Sequence, residues 1–347
     1  MALQYFACLV VGGLLLAALY GALTDPSPVE GAVNALIVAA VIGLPLALYE
    51  THLRRWLVVS ATRRWPFGWL VLIKSAAYTA WILLGTGIGA RLTHHSDAPP
   101  LADLFAHRET VVMAMLAAIV VNILFAVNQL LGPGVLFNFL IGRYRQPRRE
   151  ERLFLFLDIC HSTTIAEQIG DLKFHAYLDD FFRMVGQAAH DCGGEVHDYI
   201  GDEVIVTWPL DGNAVTALDF FPLLSQRLAA RQTAFRRTYG YAVTFRAGLH
   251  LGPVVAGEVG ELKRKIAFLG DTVNTAARLE QLARTRGVGL LASRSVLDRL
   301  RLPPEMTATS LGLLHVRGKA QPMEVFRLDL RVEPISVAMR GKSDLAL

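Results

Sequence analysis

The chain falls into a long stretch that is apolar almost without interruption and a second stretch in which polar and apolar residues alternate with regular periods. Four apolar runs fill the first part, at 3–23, 33–49, 68–90 and 111–131. Each approaches the ~20 residues a helix needs to cross the hydrocarbon core. The second run is the shortest, and a buried helix of a soluble protein competes with the spanning reading there. The 25–30 connection carries two acids and no base, whereas 51–67 carries four arginines, 91–109 is mixed and the segment after Leu131 is strongly basic. Basic connections stay on the cytoplasmic side, so the alternation predicts four crossings with both ends inside. A cleaved signal peptide is the alternative for the first run, against which stand the missing basic n-region and a poor cleavage site at 20–22.

After Leu131-Gly-Pro-Gly134 breaks the fourth run, 135–141 reads as an amphipathic stretch at the interface. From Arg152 the periods shorten. A buried strand is predicted at 153–159, and a helix opens at Thr164, with Thr164-x-x-Glu167 as a capping box. A second helix covers 172–190. After the Gly193-Gly194 turn, 195–200 and 204–208 form a hairpin around Gly201-Asp202-Glu203. Helix follows at 215–239, then strands at 243–250, 254–259 and 265–269, a helix at 272–284, and strands near 312–316 and 323–328. This order predicts an α+β domain with mainly antiparallel pairing. The domains expected are a membrane domain at 1–132, a basic juxtamembrane linker at 133–150, a catalytic domain at 151–330 and a loose tail at 331–347.

Composition sharpens this picture. Hydrophobic residues make up 53% of the 347 and charged residues 18%, too apolar for an ordinary soluble enzyme. The net charge of +4 would suit a nucleic-acid partner were the arginines spread over one face. They cluster instead beside the apolar runs, as Arg54, Arg55, Arg63 and Arg64 and then Arg143, Arg145, Arg148 and Arg149. Flanks of membrane spans carry such clusters, so the expected partner is lipid and no nucleic acid. Cys8, Cys160 and Cys192 form neither a disulfide framework nor a metal-ligand spacing. His94, His95 and His107 share one outer connection, where histidines are ordinarily solvated and a metal-binding role is the alternative.

Two carboxylates fall at strand ends: Asp158 closes the first strand and Asp202 sits at the hairpin tip. An Asp in a hairpin turn is ordinarily a turn former. Carboxylates on adjacent strand ends also suit Mg²⁺, which takes oxygen ligands and keeps substrate phosphate in its shell.

The surrounding residues decide between those readings. Phe156-Leu-Asp-Ile-Cys-His-Ser-Thr163 resembles the first metal motif of the class III nucleotidyl cyclases, and Tyr199-Ile-Gly-Asp-Glu203 the second. Phe245-Arg-Ala-Gly-Leu-His250 is similar to the family's arginine-bearing strand, and Gly270-Asp-Thr-Val-Asn-Thr-Ala-Ala-Arg-Leu-Glu280 to its transition-state helix. Val316-Arg-Gly-Lys319 is similar to the late phosphate-contacting turn. The resemblance covers nearly all of the soluble part and points to a membrane-anchored bacterial type. It implies an α-helical membrane domain joined to an α+β, ferredoxin-like catalytic domain that works as a homodimer.

Roles follow from the resemblance. Asp158, Asp202 and the Ile159 carbonyl would hold two divalent ions, Mg²⁺ or Mn²⁺. The loop ending at Thr163, with Arg246 and Lys319, would bind phosphate. Asn274 and Arg278 would come from the partner subunit, to position the ribose and stabilise charge at the α-phosphate; their four-residue spacing alone puts them on one helix face. The reaction implied is in-line attack of the ribose 3′-hydroxyl on the α-phosphorus with loss of pyrophosphate. The place implied is the inner (plasma) membrane, multi-pass, with the catalytic domain cytoplasmic.

The sequence departs from the family at His161-Ser162, where Gly-Phe is usual, and at both base-reading positions. Asp198 stands where adenylate cyclases carry Lys, and Ala267 where Asp, Thr or Ser is usual. A carboxylate suits guanine N1–H and N2–H, but the short Asp198 also suits the adenine N6 amine, and Ala267 supplies no second contact. The expectation is an adenylate cyclase with weak base discrimination. The alternatives are a guanylate or relaxed-specificity cyclase, a diguanylate cyclase (whose turn would want a second glycine before the acid), and a catalytically dead nucleotide-binding receptor.

Overall fold

The computed structural model describes residues 11, 14–23, 25–49, 66–94, 135–210, 214–315 and 321–330, with isolated positions between 112 and 132. It separates into two compact units, 1–140 and 141–347.

In the first unit, α1 (Pro28–Leu48) and α2 (Phe67–His94) contain apolar stretches of 19 and 18 residues, Pro28–Leu46 and Val71–Ile88. By length and composition both are able to cross a membrane, which weakly suggests anchoring and is consistent with a membrane domain. Their outer faces are apolar and exposed at Leu36, Leu44, Leu72 and Leu84. Where the helices meet, Gly85 leaves room for Ile42, and Trp81 Nε1 donates to the Ile42 carbonyl at 3.3 Å. Of the first apolar run, the described residues Leu14–Leu23 form an apolar helical stretch of ten residues. Most of the fourth run, the arginines of the 51–67 connection, His95, His107 and the 331–347 tail lie outside the described residues. The amphipathic stretch forms the short helix α3 (Val135–Leu140).

The second unit is one mixed sheet with helices on both faces. Its strands are β1 (Arg148–Ile159), β2 (Glu195–Ile200), β3 (Glu203–Pro209), β4 (Phe245–Val259), β5 (Lys265–Leu269), β6 (Leu290–Ser293), β7 (Met306–Leu314) and β8 (Met323–Leu330). They run in the order β2-β3-β1-β4-β6-β8-β7, with β5 paired to β4. Every pairing is antiparallel except β4 with β6. The helices are α4 (Ser162–Ile169), α5 (Asp171–Asp191), α6 (Phe220–Tyr239), α7 (Asp271–Arg286) and α8 (Arg294–Arg299).

Alternation along β1 builds both layers. Leu153, Leu155, Leu157 and Ile159 join the main core with Tyr177, Phe181, Val185, Phe221 and Leu224 from α5 and α6. Phe154 and Phe156 face the other way, toward Ala276 of α7 and Phe268 of β5. With both faces covered, the strand reads as a nearly continuous apolar run. Helix α7 lies close on β4. A Cβ at Gly248 would strike the Glu280 backbone nitrogen and would stand 2.5 Å from the Ala276 carbonyl oxygen, so glycine is what lets strand and helix approach.

Several elements differ from the sequence reading. Helix α4 starts at Ser162, before Thr164, and no side chain caps it, so the expected capping box does not form. Its N-cap is His161, in the left-handed region at φ 57°. Strand β1 begins at Arg148, inside the segment read as linker, because Arg148 and Arg149 pair with Ala256 and Val255 of β4. The two strands expected over 243–259 are a single strand of 15 residues. Strand β6 and helix α8 were not expected; at 4 and 6 residues they are too short to carry a period.

Candidate active site

Asp158 lies near the end of β1 on the face that meets α7, and only 2% of it is exposed. Register sets it opposite Glu203 of β3 and Arg246 of β4. The β2–β3 hairpin closes through Gly201 and Asp202, between the paired Ile200 and Glu203, and Gly201 supplies the positive φ of 65° that such a tight turn requires. That turn sets the Asp202 carboxyl close enough to Asp158 to push the Asp158 pKa up. The two metal-site candidates of the sequence therefore meet.

Arginines and further acids surround them. Arg246 Nη2 donates to Asp158 Oδ2 at 2.5 Å and its Nε donates to Glu280 Oε1 at 3.0 Å. Arg284 Nη2 reaches the same Asp158 oxygen at 2.7 Å. Burial pushes the Asp158 carboxyl above its ordinary range, the Asp202 contact adds to that, and Arg246 opposes it. Burial, followed by the fields of Glu280, Asp158 and Asp202, pushes Glu203 up to about 7. Crowded carboxylates in a partly dry place disfavour their own ionisation and favour any added positive charge. Among the described residues no group of three or more His, Cys, Asp or Glu side chains is arranged as a metal cage. A Mg²⁺-type site does not need one, since it takes one or two carboxylates and fills its shell with water and substrate phosphate. Paired hard oxygens at Asp158 and Asp202 fit that donor set, with the two guanidinium groups holding the charge a cation would bring.

The other expected residues are distributed as follows. Ile159 is fully buried beside Asp158. Thr163 is exposed in the first turn of α4, whose N-terminus no side chain caps. Arg246, expected on phosphate, is instead anchored between Asp158 and Glu280. Asn274 and Arg278 are one turn apart on α7; Asn274 is exposed, and Arg278 Nη1 is buried with no hydrogen-bond partner among the described residues. Asp198 is on β2 and Ala267 on β5. Lys319 lies outside the described residues.

Residues 145–329 match the family described as the Adenylate and Guanylate cyclase catalytic domain. The chain is 33% identical over 296 residues to Adenylate cyclase 2 of Rhizobium meliloti (strain 1021), covering 82% of this chain and 80% of that one. The chain belongs to the class III adenylate/guanylate cyclase family. It is also 29% identical to an adenylate cyclase of Anabaena cylindrica over 180 residues, half of this chain but only 36% of that protein. The fold of this nucleotidyl cyclase is shared with a solved bacterial light-regulated adenylyl cyclase, at a TM-score of 0.54 and 23% identity, over 62% of this chain and 64% of that one. Enzymes of the family typically use divalent metals and work as dimers.

Four polar residues beside the candidate site residues escaped the sequence reading. Glu203 ends the Tyr199–Glu203 motif, in which the resemblance assigns a role to Asp202 alone. Glu280 follows Arg278 by two residues on α7 and anchors Arg246 of the β4 strand on which that helix lies. Arg284 lies one turn beyond Glu280, so helical spacing puts both on the face that meets Asp158. Lys265 precedes Ala267 by two on β5, and strand alternation puts both on one face. Spacing was the available signal in the last three cases; the sequence does not reveal which strand each face meets.

Proposed function

We propose that this cyclase converts ATP to 3′,5′-cyclic AMP and pyrophosphate at the interface of a homodimer, from the cytoplasmic side of the inner membrane. The observation that carries the reading is the meeting of Asp158 and Asp202 at the end of β1, with Arg246 beside them. Two divalent cations, Mg²⁺ or Mn²⁺, held by these carboxylates and the Ile159 carbonyl, would supply Lewis acidity toward the ribose 3′-hydroxyl and the departing pyrophosphate.

The chain's own groups do the rest. The uncapped N-terminus of α4, with Thr163 in its first turn, offers backbone N–H groups to phosphate. Arg246 exchanges Asp158 for β- and γ-phosphate oxygens while Glu280 keeps its anchor, and Lys319 adds a second cation. Asn274 orients the ribose. Arg278, with a buried and unpartnered Nη1, donates to charge developing at the α-phosphate.

Sharing of the site between protomers has its own support. Tyr199 and Ile200 beside the β2–β3 turn, and Leu262 and Leu269 of the β4–β5 hairpin, are large apolar side chains exposed in the single chain. Such surfaces are ordinarily covered by a partner. The chain is organised as a membrane domain at 1–132, a linker at 133–150, a catalytic domain at 151–330 and a tail. ATP as substrate is supported by the names of the relatives in Rhizobium and Anabaena. GTP is the competing substrate, because Asp198 replaces the usual lysine.

The test is cyclic-nucleotide formation by the purified full-length protein with Mn²⁺ and either ATP or GTP. Wild type should form cyclic AMP, and Asp158→Asn and Asp202→Asn should form none. Turnover in either variant with unchanged metal dependence overturns the mechanism, and wild-type preference for GTP overturns the substrate.

A further inference from the structure

Asp198 is not alone at the base-reading position. Its Oδ2 lies 3.5 Å from Nζ of Lys265, the first residue of β5, while its Oδ1 accepts from the Tyr199 backbone N–H at 3.0 Å. Strands β2 and β5 are not neighbours in the sheet, yet they meet twice: next to this pair, the His197 ring lies 5.0 Å from that of Phe268. The register of β2 slips between Val196 and Asp198, a β-bulge that inserts His197 and re-aims the side chains around it. Two adjacent residues of a bulged edge strand thus both engage β5.

We propose that Lys265 is the second base-reading residue of this cyclase, acting with Asp198 as a donor–acceptor pair for the six-membered edge of adenine. The proposal rests on the cyclase reading above. Three observations carry it. First, Lys265 and Ala267 share a face of β5, so the ammonium stands two residues from the position expected to read the base and found to carry only a methyl group. Second, the side chains are 56% and 42% exposed, and an ion pair this open adds little to stability. Both partners are free to exchange each other for a ligand at small cost. Third, the arrangement distinguishes the purines. Guanine presents N1–H and N2–H side by side and asks for both oxygens of one carboxylate. Here the Tyr199 N–H already engages Oδ1, so the groups not held by the backbone are Oδ2 and the Lys265 ammonium. Adenine presents one N6–H donor beside the N1 acceptor, which Asp198 Oδ2 and Lys265 Nζ match one to one. The weak discrimination expected from Ala267 alone is thereby replaced by selection for ATP.

Lys265→Met keeps the length of the side chain and removes the charge. The ratio of kcat/KM for ATP over GTP is measured in wild type and variant, with product formation followed for each base. Loss of one charge-assisted hydrogen bond should lower the ratio by about tenfold to a hundredfold. Binding of 3′-deoxy-ATP and 3′-deoxy-GTP, which lack the attacking hydroxyl, should shift by a similar factor. A merely structural pair would move stability or overall turnover and leave the ratio alone. A ratio in Lys265→Met within twofold of wild type, or a wild type that favours guanine, overturns the proposal. Should the protein cyclise neither nucleotide, the cyclase reading fails, and the deoxynucleotide binding ratio still decides whether Lys265 reads the base.

Discussion

Arg284 places its Nη2 2.7 Å from Oδ2 of Asp158, so a side chain that is 57% exposed neutralises a carboxylate that is 2% exposed. The same oxygen is one that a metal ion would need. Arg284 is therefore a competitor for the site, and an easily displaced one, because its open position lets water screen the pair. After that discount the contact contributes about 0.5–1 kcal/mol.

Removing it has a predicted direction. Arg284→Ala should bind Mn²⁺ about two- to fivefold more tightly, by the free energy no longer spent on displacing the guanidinium. Without metal, the variant should melt slightly below wild type, because Asp158 keeps only Arg246. Titrating Mn²⁺ against melting temperature measures both effects without any turnover. Equal Mn²⁺ affinities in the two proteins would mean that Arg284 leaves Asp158 at no cost.

The site's division between subunits gives a second test. Asp158→Asn chains would lack a metal carboxylate, and Arg278→Ala chains would lack the donor to the α-phosphate. Each homodimer should be inactive. A heterodimer has one site in which both losses fall together and one that retains both groups, so mixing should restore up to about half of the wild-type activity per heterodimer. Heterodimers that assemble and stay silent would show that the metal acids and Arg278 serve the same protomer's site.

How much of this was legible beforehand depended on the range of the interaction. Asp158, Asp202 and their meeting followed from short motifs, because a two-residue turn at Gly201 fixes the register of the hairpin. The spacing of Asn274 and Arg278 was readable from helical geometry alone. The anchoring of Arg246 by Glu280 was not, since the contact spans 34 residues and depends on how closely Gly248 lets α7 approach β4. Lys265 stayed hidden for a similar reason: nothing local says that β5 meets β2 across strands to which it is not paired. The missed helix start at Ser162 has a different origin. The Thr164 and Glu167 pattern suggested a cap, but the chain turns earlier, at His161.

That turn makes a stability prediction. His161 is the one non-glycine residue with positive φ among the described residues, and it stands where the family ordinarily has glycine. A left-handed conformation costs an L-residue about 1–2 kcal/mol, whereas glycine costs roughly 0.5–1 kcal/mol through its freer unfolded chain. The first figure exceeds the second, so His161→Gly should stabilise the catalytic domain by about 0.5–1 kcal/mol. For a domain of this size that is ~1–4 °C in melting temperature. A drop in melting temperature would mean that the imidazole makes contacts that outweigh its backbone strain.

The last prediction concerns pH and His197. Its ring is packed on Phe268, and burial pushes its pKa below the ordinary 6.5, with Lys265 and Arg152 acting in the same direction and Asp198 against them. The folded protein therefore declines a proton that the unfolded chain accepts. Below pH 6.5 the unfolded state binds more protons than the folded one, so stability falls as pH falls, until the folded imidazole itself titrates. Above pH 6.5 His197 is neutral in both states and contributes no slope. Phenylalanine at this position keeps an aromatic ring against Phe268 and cannot be protonated. His197→Phe should therefore lose less stability than wild type between pH 6.5 and the acid end of the folded titration, while the two proteins run parallel above it. Denaturant unfolding at a series of pH values measures the difference. Identical slopes below pH 6.5 would show that His197 takes up its proton as readily in the folded domain as in the unfolded chain, and that its contact with Phe268 leaves it open to water.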